Sequence, residues 1–238
     1  MTDGVRTVDE FYERAEMGAT DLDARMQVFL AEYRRHRAGC GERPLRVLDV
    51  GCGRRPILAR HVEPSDEYCG CDIVAPEEEL PCFRRVNLND ESLAKAFEGD
   101  RFDVVFCGEV VEHVFSPDAL LDDIRRLLRA DGLLVLSTPN LAYWVNRLLL
   151  LVGVSPLFVE NSARVKLGRR FRFLGQGNDT QGHIRLFTYR AMRDLFDLQG
   201  WRLVRVHPLP VWPFPIDRLI CRVSASLAPD VVYVARPG

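Results

Sequence analysis

The sequence predicts an α/β protein in which a parallel sheet is covered by helices on both faces. Short strand-like segments alternate with helical ones through the first 140 residues, which is the pattern of strand–helix–strand units. These strand-like segments are apolar at consecutive positions, as expected for strands buried on both faces. The chain has 238 residues, a length that suits a single domain.

Two helices are predicted ahead of the sheet, because residues 8–38 carry apolar side chains at helical spacing. Five strands then follow, separated by short helical segments. The predicted strands are 45–50, 67–73, 83–88, 102–107 and 133–137, and the predicted short helices are 56–62 and 92–97.

A longer helix is predicted to begin at Ser116–Pro117, since serine caps free backbone N–H groups and proline fits the first helical turn. Its leucine and isoleucine side chains form one apolar face, and Asp131–Gly132 is predicted to end it. The last predicted elements are a helix over 189–199, a strand over 201–207, a proline-rich turn over 208–215 and a strand over 231–235.

A long insert interrupts this alternation after Asn140. About forty residues precede the next predicted helix, and an interruption of that length is typical of a lid or a binding segment. Its first part, 141–154, is apolar and amphipathic, and its later part, 164–173, is basic and aromatic. The first part favours core or lid packing, with contact to a bilayer as the alternative. The second favours a solvated face, with binding of an anion or an RNA backbone as the alternative.

The composition excludes several classes of protein. The formal net charge is -2, so extensive electrostatic binding of nucleic acid is not expected. The N-terminus is polar and no apolar run reaches the ~20 residues of a membrane span, which predicts a cytoplasmic protein. The seven cysteines include no Cys-x-x-Cys pair, and we expect them to be reduced thiols.

A glycine-rich motif follows the first predicted strand. The segment 47–53 reads Val-Leu-Asp-Val-Gly-Cys-Gly, and the second strand ends at Cys71–Asp72. Glycines at a strand-to-helix turn allow a ligand to approach the backbone closely. An acidic residue at the end of the next strand is the usual partner of ribose hydroxyls. The motif therefore predicts a nucleoside-binding site that includes Gly51, Gly53 and Asp72.

Two later segments indicate the family. Residues 102–113 read Phe-Asp-Val-Val-Phe-Cys-Gly-Glu-Val-Val-Glu-His, and residues 132–140 read Gly-Leu-Leu-Val-Leu-Ser-Thr-Pro-Asn. In this order with the glycine motif, they resemble a class I S-adenosylmethionine-dependent methyltransferase over about residues 45–207. The resemblance implies a Rossmann-like seven-stranded sheet with an antiparallel hairpin at one edge.

The same resemblance assigns contacts with S-adenosylmethionine. Asp49, Gly51 and Gly53 would line its methionine end, and Asp72 would bind its ribose. Asn87 and Leu88 would flank the adenine, and Cys107 and Glu109 would border the sulfonium. Together with the length and the order of the predicted elements, it gives one domain over 1–238, with an N-terminal helical cap (1–40), a cofactor-binding core (41–140), a substrate lid insert (141–182) and a C-terminal helix and strands (183–238).

The chain departs from the family pattern at Arg55, which replaces the third glycine of the motif. An arginine there could bind the carboxylate of the cofactor, or it could face solvent or the substrate side, which we favour. If it blocked the pocket, the protein would be a catalytically silent relative.

A second group of residues predicts where the chemistry takes place. Glu109, Glu112 and His113 follow the fourth strand, and His183 precedes a later helix. These four side chains could bind a divalent cation such as Mg²⁺. The arrangement resembles that of ubiquinone-pathway O-methyltransferases and of metal-dependent small-RNA 2′-O-methyltransferases. Alternatively, His113 or His183 acts as a metal-free general base, or the histidines are structural.

The resemblance implies methyl transfer, most simply to an oxygen of a small-molecule, saccharide or lipid-like acceptor. Peripheral contact with a membrane is compatible with the apolar insert. An RNA 2′-O-methyltransferase and a catalytically silent cofactor-binding protein are the alternatives, and the acidic balance of the chain argues against RNA. The acceptor, the oligomeric state and the need for a metal are left open.

Overall fold

A computed structural model describes residues 22–168, 180–210 and 215–238. Seven strands form one sheet in these residues. They are β1 (Arg46–Val50), β2 (Glu67–Asp72), β3 (Phe83–Arg85), β4 (Phe102–Gly108), β5 (Leu128–Pro139), β6 (Trp201–Leu209) and β7 (Asp230–Pro237).

The strand order is β3-β2-β1-β4-β5-β7-β6. The first five strands in this order are parallel to one another, and β7 lies antiparallel between β5 and β6. The predicted α/β class and the seven-stranded sheet with an antiparallel hairpin at one edge are therefore confirmed. Because β1, β2 and β4 are parallel, their carboxyl ends meet at one edge of the sheet.

Six α-helices accompany the sheet in the described residues. They are α1 (Ala24–Ala38), α2 (Leu93–Ala96), α3 (Pro117–Leu127), α4 (Trp144–Leu151), α5 (Tyr189–Leu198) and α6 (Pro215–Val223). Side chains cap several of their N-termini, as the Ser116–Pro117 motif predicts for α3. Ser116 Oγ accepts the N–H of Ala119, and Thr188 Oγ1 accepts the N–H of Ala191 at α5.

The core lies on both faces of the sheet. Alternate residues of β1 and β4 belong to two separate apolar clusters: Leu48 and Val105 pack in one, Val47 and Val104 in the other. Helices α3 and α5 cover the first cluster, and α1 covers the second through side chains such as Phe29. Each large apolar side chain removed from water contributes about 1.5–3 kcal/mol, so the sheet forms a rigid support for the loops at its edges.

Several boundaries differ from the prediction. The helix predicted over 56–62 is a 3-10 helix of five residues, Ile57–His61, a length at which i→i+3 bonding is common. The longer helix ends at Leu127 and β5 begins at Leu128, before the predicted stop at Asp131–Gly132. The predicted proline-rich turn leads into α6. Pro215 begins that helix, where its missing N–H costs no hydrogen bond.

The expectation that every cysteine is reduced is wrong. Residue 70 of β2 pairs with residue 83 of β3, so Cys69 and Cys82 lie side by side, with their Cα atoms 4.6 Å apart, and form a disulfide. The other five cysteines are free thiols, and four of them are buried. The predicted helix ahead of residue 22 lies outside the described residues. None of the described helices is both long enough and apolar enough to cross a membrane.

Candidate active site at the carboxyl edge of the sheet

The glycine motif forms a tight turn at the end of β1. Gly51 and Gly53 have φ angles of +75° and +69°, a conformation that side chains disfavour. A Cβ on Gly51 would lie 2.4 Å from Cγ2 of Val110. The turn after β1 and the turn after β4 are therefore packed directly against each other, which requires glycine at position 51.

Asp72 connects this turn to the end of β2. Its carboxylate accepts the N–H of Gly53 at 2.9 Å and the N–H of Val74 at 3.1 Å. The side chain is buried. The sequence places Asp72 at the strand end, and the structure adds that the same carboxylate orients the glycine turn.

Asp49 lies within β1 and pairs with a residue that sequence reasoning missed. Tyr68 of β2 donates its hydroxyl to Asp49 Oδ2 at 2.6 Å. Burial raises the pKa of Asp49 to about 7, although the hydrogen bond from Tyr68 opposes that rise. Asp49 therefore titrates near neutral pH in the protein without ligand. No sequence signal distinguishes Tyr68 from other strand tyrosines.

The other predicted cofactor residues occupy different surroundings. Asn87 lies in the loop after β3, where its side-chain amide donates to Asp90 and its Oδ1 accepts the N–H of Asn89. Leu88 is partly buried against the larger apolar cluster. Cys107 of β4 is fully buried in that cluster, so its side chain serves the core.

Glu109 begins the turn after β4 and has a φ angle of +56°, the left-handed region that few non-glycine residues adopt. Its Oε1 accepts the hydroxyl of Ser137 at 2.7 Å and lies 3.5 Å from Arg25 Nη1. Strained backbone of this kind is concentrated at functional sites. Arg25 belongs to α1, so the N-terminal helix contributes a cation to this edge, which the sequence does not predict.

A second acidic group lies deeper at the same edge. Glu112 is fully buried: its Oε2 accepts the hydroxyl of Thr138 at 3.0 Å, and its Oε1 has no hydrogen-bond partner among the described residues. Burial, together with the charge of Glu109, raises the pKa of Glu112 well above its usual value. The pKa of buried Asp230 at the start of β7 is raised for the same two reasons. The sequence reasoning missed Asp230.

The structure brings the two predicted histidines together across the insert. The rings of His113 and His183 have centroids 5.0 Å apart. His113 Nδ1 lies 3.0 Å from the carbonyl oxygen of Gly182, and His183 Nδ1 lies 3.1 Å from that of Phe158. A carbonyl only accepts, so each Nδ1 must carry a proton and each neutral ring presents Nε2 as its acceptor. Burial and the neighbouring His183 lower the pKa of His113.

Three of the four predicted metal ligands lie close together. One ligand atom each from Glu112, His113 and His183 falls within 4.8 Å of the other two. The fourth, Glu109, is not part of this group and is bound instead by Ser137 and Arg25. The arrangement therefore provides one carboxylate and two imidazole nitrogens at one point of the edge.

The predictions made for Arg55 and for Lys166 have different outcomes. Arg55 is half exposed and lies 3.0 Å from Glu77, in agreement with the solvent-facing alternative. The expectation that Lys166 contributes to an exposed basic face is wrong, since its side chain is buried beside Glu160. The remainder of the basic segment, residues 169–173, lies outside the described residues.

Comparisons with known proteins show the family and the fold. The family model described as a methyltransferase domain matches residues 22–206. The ubiquinone biosynthesis O-methyltransferase of Roseobacter denitrificans is 39% identical over 106 residues, which cover 40% of this chain and 42% of that protein. The protein of the same name from Cereibacter sphaeroides (strain ATCC 17029) is 36% identical over 136 residues, 52% of this chain and 54% of that protein. The chain thus matches only about half the length of these relatives.

Solved structures share the fold over nearly the whole chain. The 1,6-didemethyltoxoflavin-N1-methyltransferase of Burkholderia thailandensis, solved with 1,6-didemethyltoxoflavin and S-adenosylhomocysteine, superposes with a TM-score of 0.60 at 20% identity. That match covers 97% of this chain and 84% of the other. The magnesium protoporphyrin IX methyltransferase of Synechocystis PCC 6803, solved with S-adenosylhomocysteine, gives a TM-score of 0.54 at 16% identity, with 95% and 93% covered.

Proposed function

Because the chain belongs to the methyltransferase domain family, we propose that it transfers the methyl group of S-adenosylmethionine to an oxygen of a small, amphipathic acceptor. The observation that carries the proposal is the histidine pair. His113 and His183 present Nε2 acceptors at the edge of the sheet that also holds the glycine turn and Asp72. A nucleoside site and a proton acceptor at one edge are the two requirements of O-methylation.

The cofactor residues keep the roles that the family resemblance implies. Asp49, Gly51 and Gly53 would hold the methionine end of the cofactor, and Asp72 its ribose. A carboxylate offers about four acceptor positions, which allows Asp72 to orient the glycine turn and bind hydroxyls together. Asn87 and Leu88 would flank the adenine. Cys107, through its backbone, and Glu109 would border the sulfonium.

The cofactor supplies an electrophilic methyl group, and the protein's residues align the acceptor with it and take up its proton. The acceptor oxygen forms the new bond to carbon, the carbon–sulfur bond breaks with its electron pair on sulfur, and the acceptor proton moves to Nε2 of His183 or His113. General bases contribute about 10²–10⁴-fold to such steps. Holding the reacting atoms in line at short range contributes more.

Labelled cofactor tests this proposal without knowledge of the acceptor. We expect S-adenosylmethionine with a tritium-labelled methyl group to label a compound that is recovered in the organic phase of a whole-cell extract. His183→Asn should lower the rate at least 100-fold while S-adenosylhomocysteine affinity in calorimetry changes less than about threefold. His61→Asn, in the 3-10 helix Ile57–His61, is the matched control and should keep full activity. Cofactor binding without any labelled product would instead identify a silent binding protein, and labelled RNA would identify the RNA alternative.

A divalent cation at Glu112, His113 and His183 is the alternative to the general base, and the buried oxygen Glu112 Oε1, which has no hydrogen-bond partner in the described part of the chain, favours it. Histidines that donate Nδ1–H to carbonyls while Nε2 faces a metal are the usual ligand arrangement. Two nitrogens and one carboxylate suit Mn²⁺ or Zn²⁺ better than Mg²⁺. Calorimetric titration with Mn²⁺ tests the site directly. Binding that is lost in Glu112→Gln supports it, and full turnover in excess chelator leaves only the general-base role.

A lipid-like acceptor is supported by the outer surface of α4 and α6. Tyr143 and Trp144 both donate hydrogen bonds to buried Asp217, at 2.7–2.9 Å, and so hold the two helices together. Arginines are also exposed on both helices, Arg147 on α4 and Arg218 and Arg222 on α6. The large apolar side chains exposed on and beside these helices are Leu148, Leu150, Leu151, Val152, Ile216, Leu219 and Val223.

We propose that this surface, the α4–α6 face, contacts an anionic bilayer from the cytoplasmic side. Exposed leucines combined with arginines are typical of interfacial helices. Sedimentation with phosphatidylglycerol vesicles should capture the protein, and Leu151→Asp should prevent it. Leu198→Asp changes an equally exposed leucine on α5 and should bind like the wild type. Equal sedimentation with vesicles of neutral lipid, or no effect of Leu151→Asp, would contradict this contact.

A further inference from the structure

A buried glutamate in the insert binds the backbone beside His183. Glu160 Oε1 accepts the N–H of Gln181 at 2.6 Å, and its Oε2 accepts the N–H groups of Gly182 at 2.8 Å and His183 at 3.2 Å. The Glu160 side chain is only 4% exposed. Three successive N–H groups directed at one carboxylate hold a peptide segment in one conformation.

Lys166 completes this arrangement. Its Nζ lies 3.5 Å from Glu160 Oε1 and donates to the side-chain oxygen of Gln181 at 3.3 Å. Its side chain is 3% exposed, although lysine is rarely buried without a partner of opposite charge. Removing two such charges from water is costly, and a buried ion pair is seldom more stabilising than apolar residues of the same volume. The pair is therefore better explained by the position that it imposes than by stability.

The Glu160–Lys166 pair fixes a segment that contacts both histidines. The segment 181–183 carries the His183 ring itself, and its Gly182 carbonyl accepts the Nδ1 proton of His113. Gly182 has a φ angle of +84°, which directs this carbonyl in a way that an ordinary residue would resist. Immediately afterwards, the N–H groups of Ile184 and Arg185 bond to the Glu112 carbonyl at 2.9 and 3.0 Å.

We propose that Glu160, supported by Lys166, is a positioning residue that keeps His113 and His183 in the Nδ1–H tautomer, with Nε2 directed to the acceptor side. Glu160 touches neither reactant and acts through the segment 181–183. The inference rests on the proposed function in one respect, that the histidines take part in methyl transfer. The tautomers themselves can be measured without any substrate.

Long-range ¹H–¹⁵N correlation spectra of the histidine rings report the tautomer of each ring. In the wild type at pH 8.5 we expect His113 and His183 to be protonated at Nδ1, whereas free neutral imidazole favours Nε2. Assignments come from His113→Gln and His183→Gln. Glu160→Gln keeps the side-chain length but replaces one acceptor oxygen by a donor, so His113 should return to the Nε2–H form. Lys166→Met should produce the same change to a smaller extent.

Glu67→Gln is the matched control, because Glu67 is also an ion-paired glutamate, with Arg46 as its partner, but lies exposed on β2. It should leave both tautomers unchanged. The affinity of the Glu160 and Lys166 variants for S-adenosylhomocysteine should stay within about threefold of the wild-type value. Such an affinity shows that the part of the protein that binds the cofactor is folded. An Nε2–H tautomer of His113 in the wild type would overturn the proposal even if both variants failed to fold. Unchanged tautomers in folded Glu160→Gln would do so as well. The expected tautomers in a protein that transfers no methyl group would contradict only the proposed function.

Discussion

Asp49 should release a proton when the cofactor binds. Without ligand, burial raises the pKa of Asp49 to about 7. S-adenosylhomocysteine carries an ammonium group at its methionine end, which the proposed assignment places beside this carboxylate. A cation at that distance lowers the pKa of a carboxyl group by about 1–3. The bound protein should therefore hold Asp49 ionised at a pH where the free protein holds it mostly neutral.

The size of the effect follows from the two pKa values. A carboxyl group with a pKa of about 7 is about three-quarters protonated at pH 6.5, and one with a pKa of about 4–6 is mostly ionised. Binding at pH 6.5 should release about 0.5–0.75 of a proton, and binding at pH 8 should release less than about 0.1.

Calorimetric titration with S-adenosylhomocysteine, repeated in buffers of different ionisation enthalpy, measures the number of protons released. Asp49→Asn should reduce that number to near zero at both pH values. Asp131→Asn is the matched control, because Asp131 is an exposed carboxylate near the start of β5, and it should match the wild type. No proton release by the wild type at pH 6.5, or the same release in Asp49→Asn, would refute the reasoning.

The raised pKa of Asp49 also determines how the free energy of unfolding changes with pH. The folded pKa of Asp49 lies above the value of about 3.9 expected in the unfolded chain. Its contribution to stability is therefore complete below about pH 4 and is lost as the pH rises to about 7. The loss amounts to at most about 4 kcal/mol. Urea unfolding of the free protein at pH 5 and pH 8 should show a smaller loss of stability in Asp49→Asn than in the wild type.

Three other variants test separate parts of the structure. Tyr68→Phe removes the hydrogen bond that opposes the rise in the pKa of Asp49, so proton release on binding should persist to higher pH in the same calorimetric assay. Asp72→Ala should weaken S-adenosylhomocysteine binding by about 1.5–3 kcal/mol because ribose hydroxyls lose a charged acceptor, and unchanged affinity would exclude that contact. Replacing Cys69 and Cys82 by serine should lower the free energy of unfolding by about 2–3 kcal/mol because the cross-link restricts the unfolded chain. Reductant should have the same effect on the wild type and none on the variant.

The fold could be predicted, and residues could be proposed for the cofactor, because the signals for both are local in the sequence. Gly51 and Gly53 come just after β1, and Asp72 is the last residue of β2. Parallel pairing then brings those ends to one edge without further information. The errors concern contacts between segments. The Cys69–Cys82 disulfide depends on the register of β2 and β3, which spacing alone does not provide.

The surroundings of the proposed catalytic histidines depend on contacts between residues far apart in the chain, and such contacts leave no periodicity to recognise. Glu160 binds the segment 181–183 although 21–23 residues separate them in the chain. Lys166 is one more charge in a basic run of the sequence, yet its side chain is buried. Arg25 reaches Glu109 from a helix that precedes the whole sheet. Each of these residues is polar, and polarity in a sequence indicates exposure more often than a buried partner. His113 could be singled out because it follows a strand together with two glutamates, and His183 because it precedes a helix at the end of the insert. The groups proposed to orient them could be recognised only once the backbone N–H and carbonyl groups around Glu160 and Gly182 had positions.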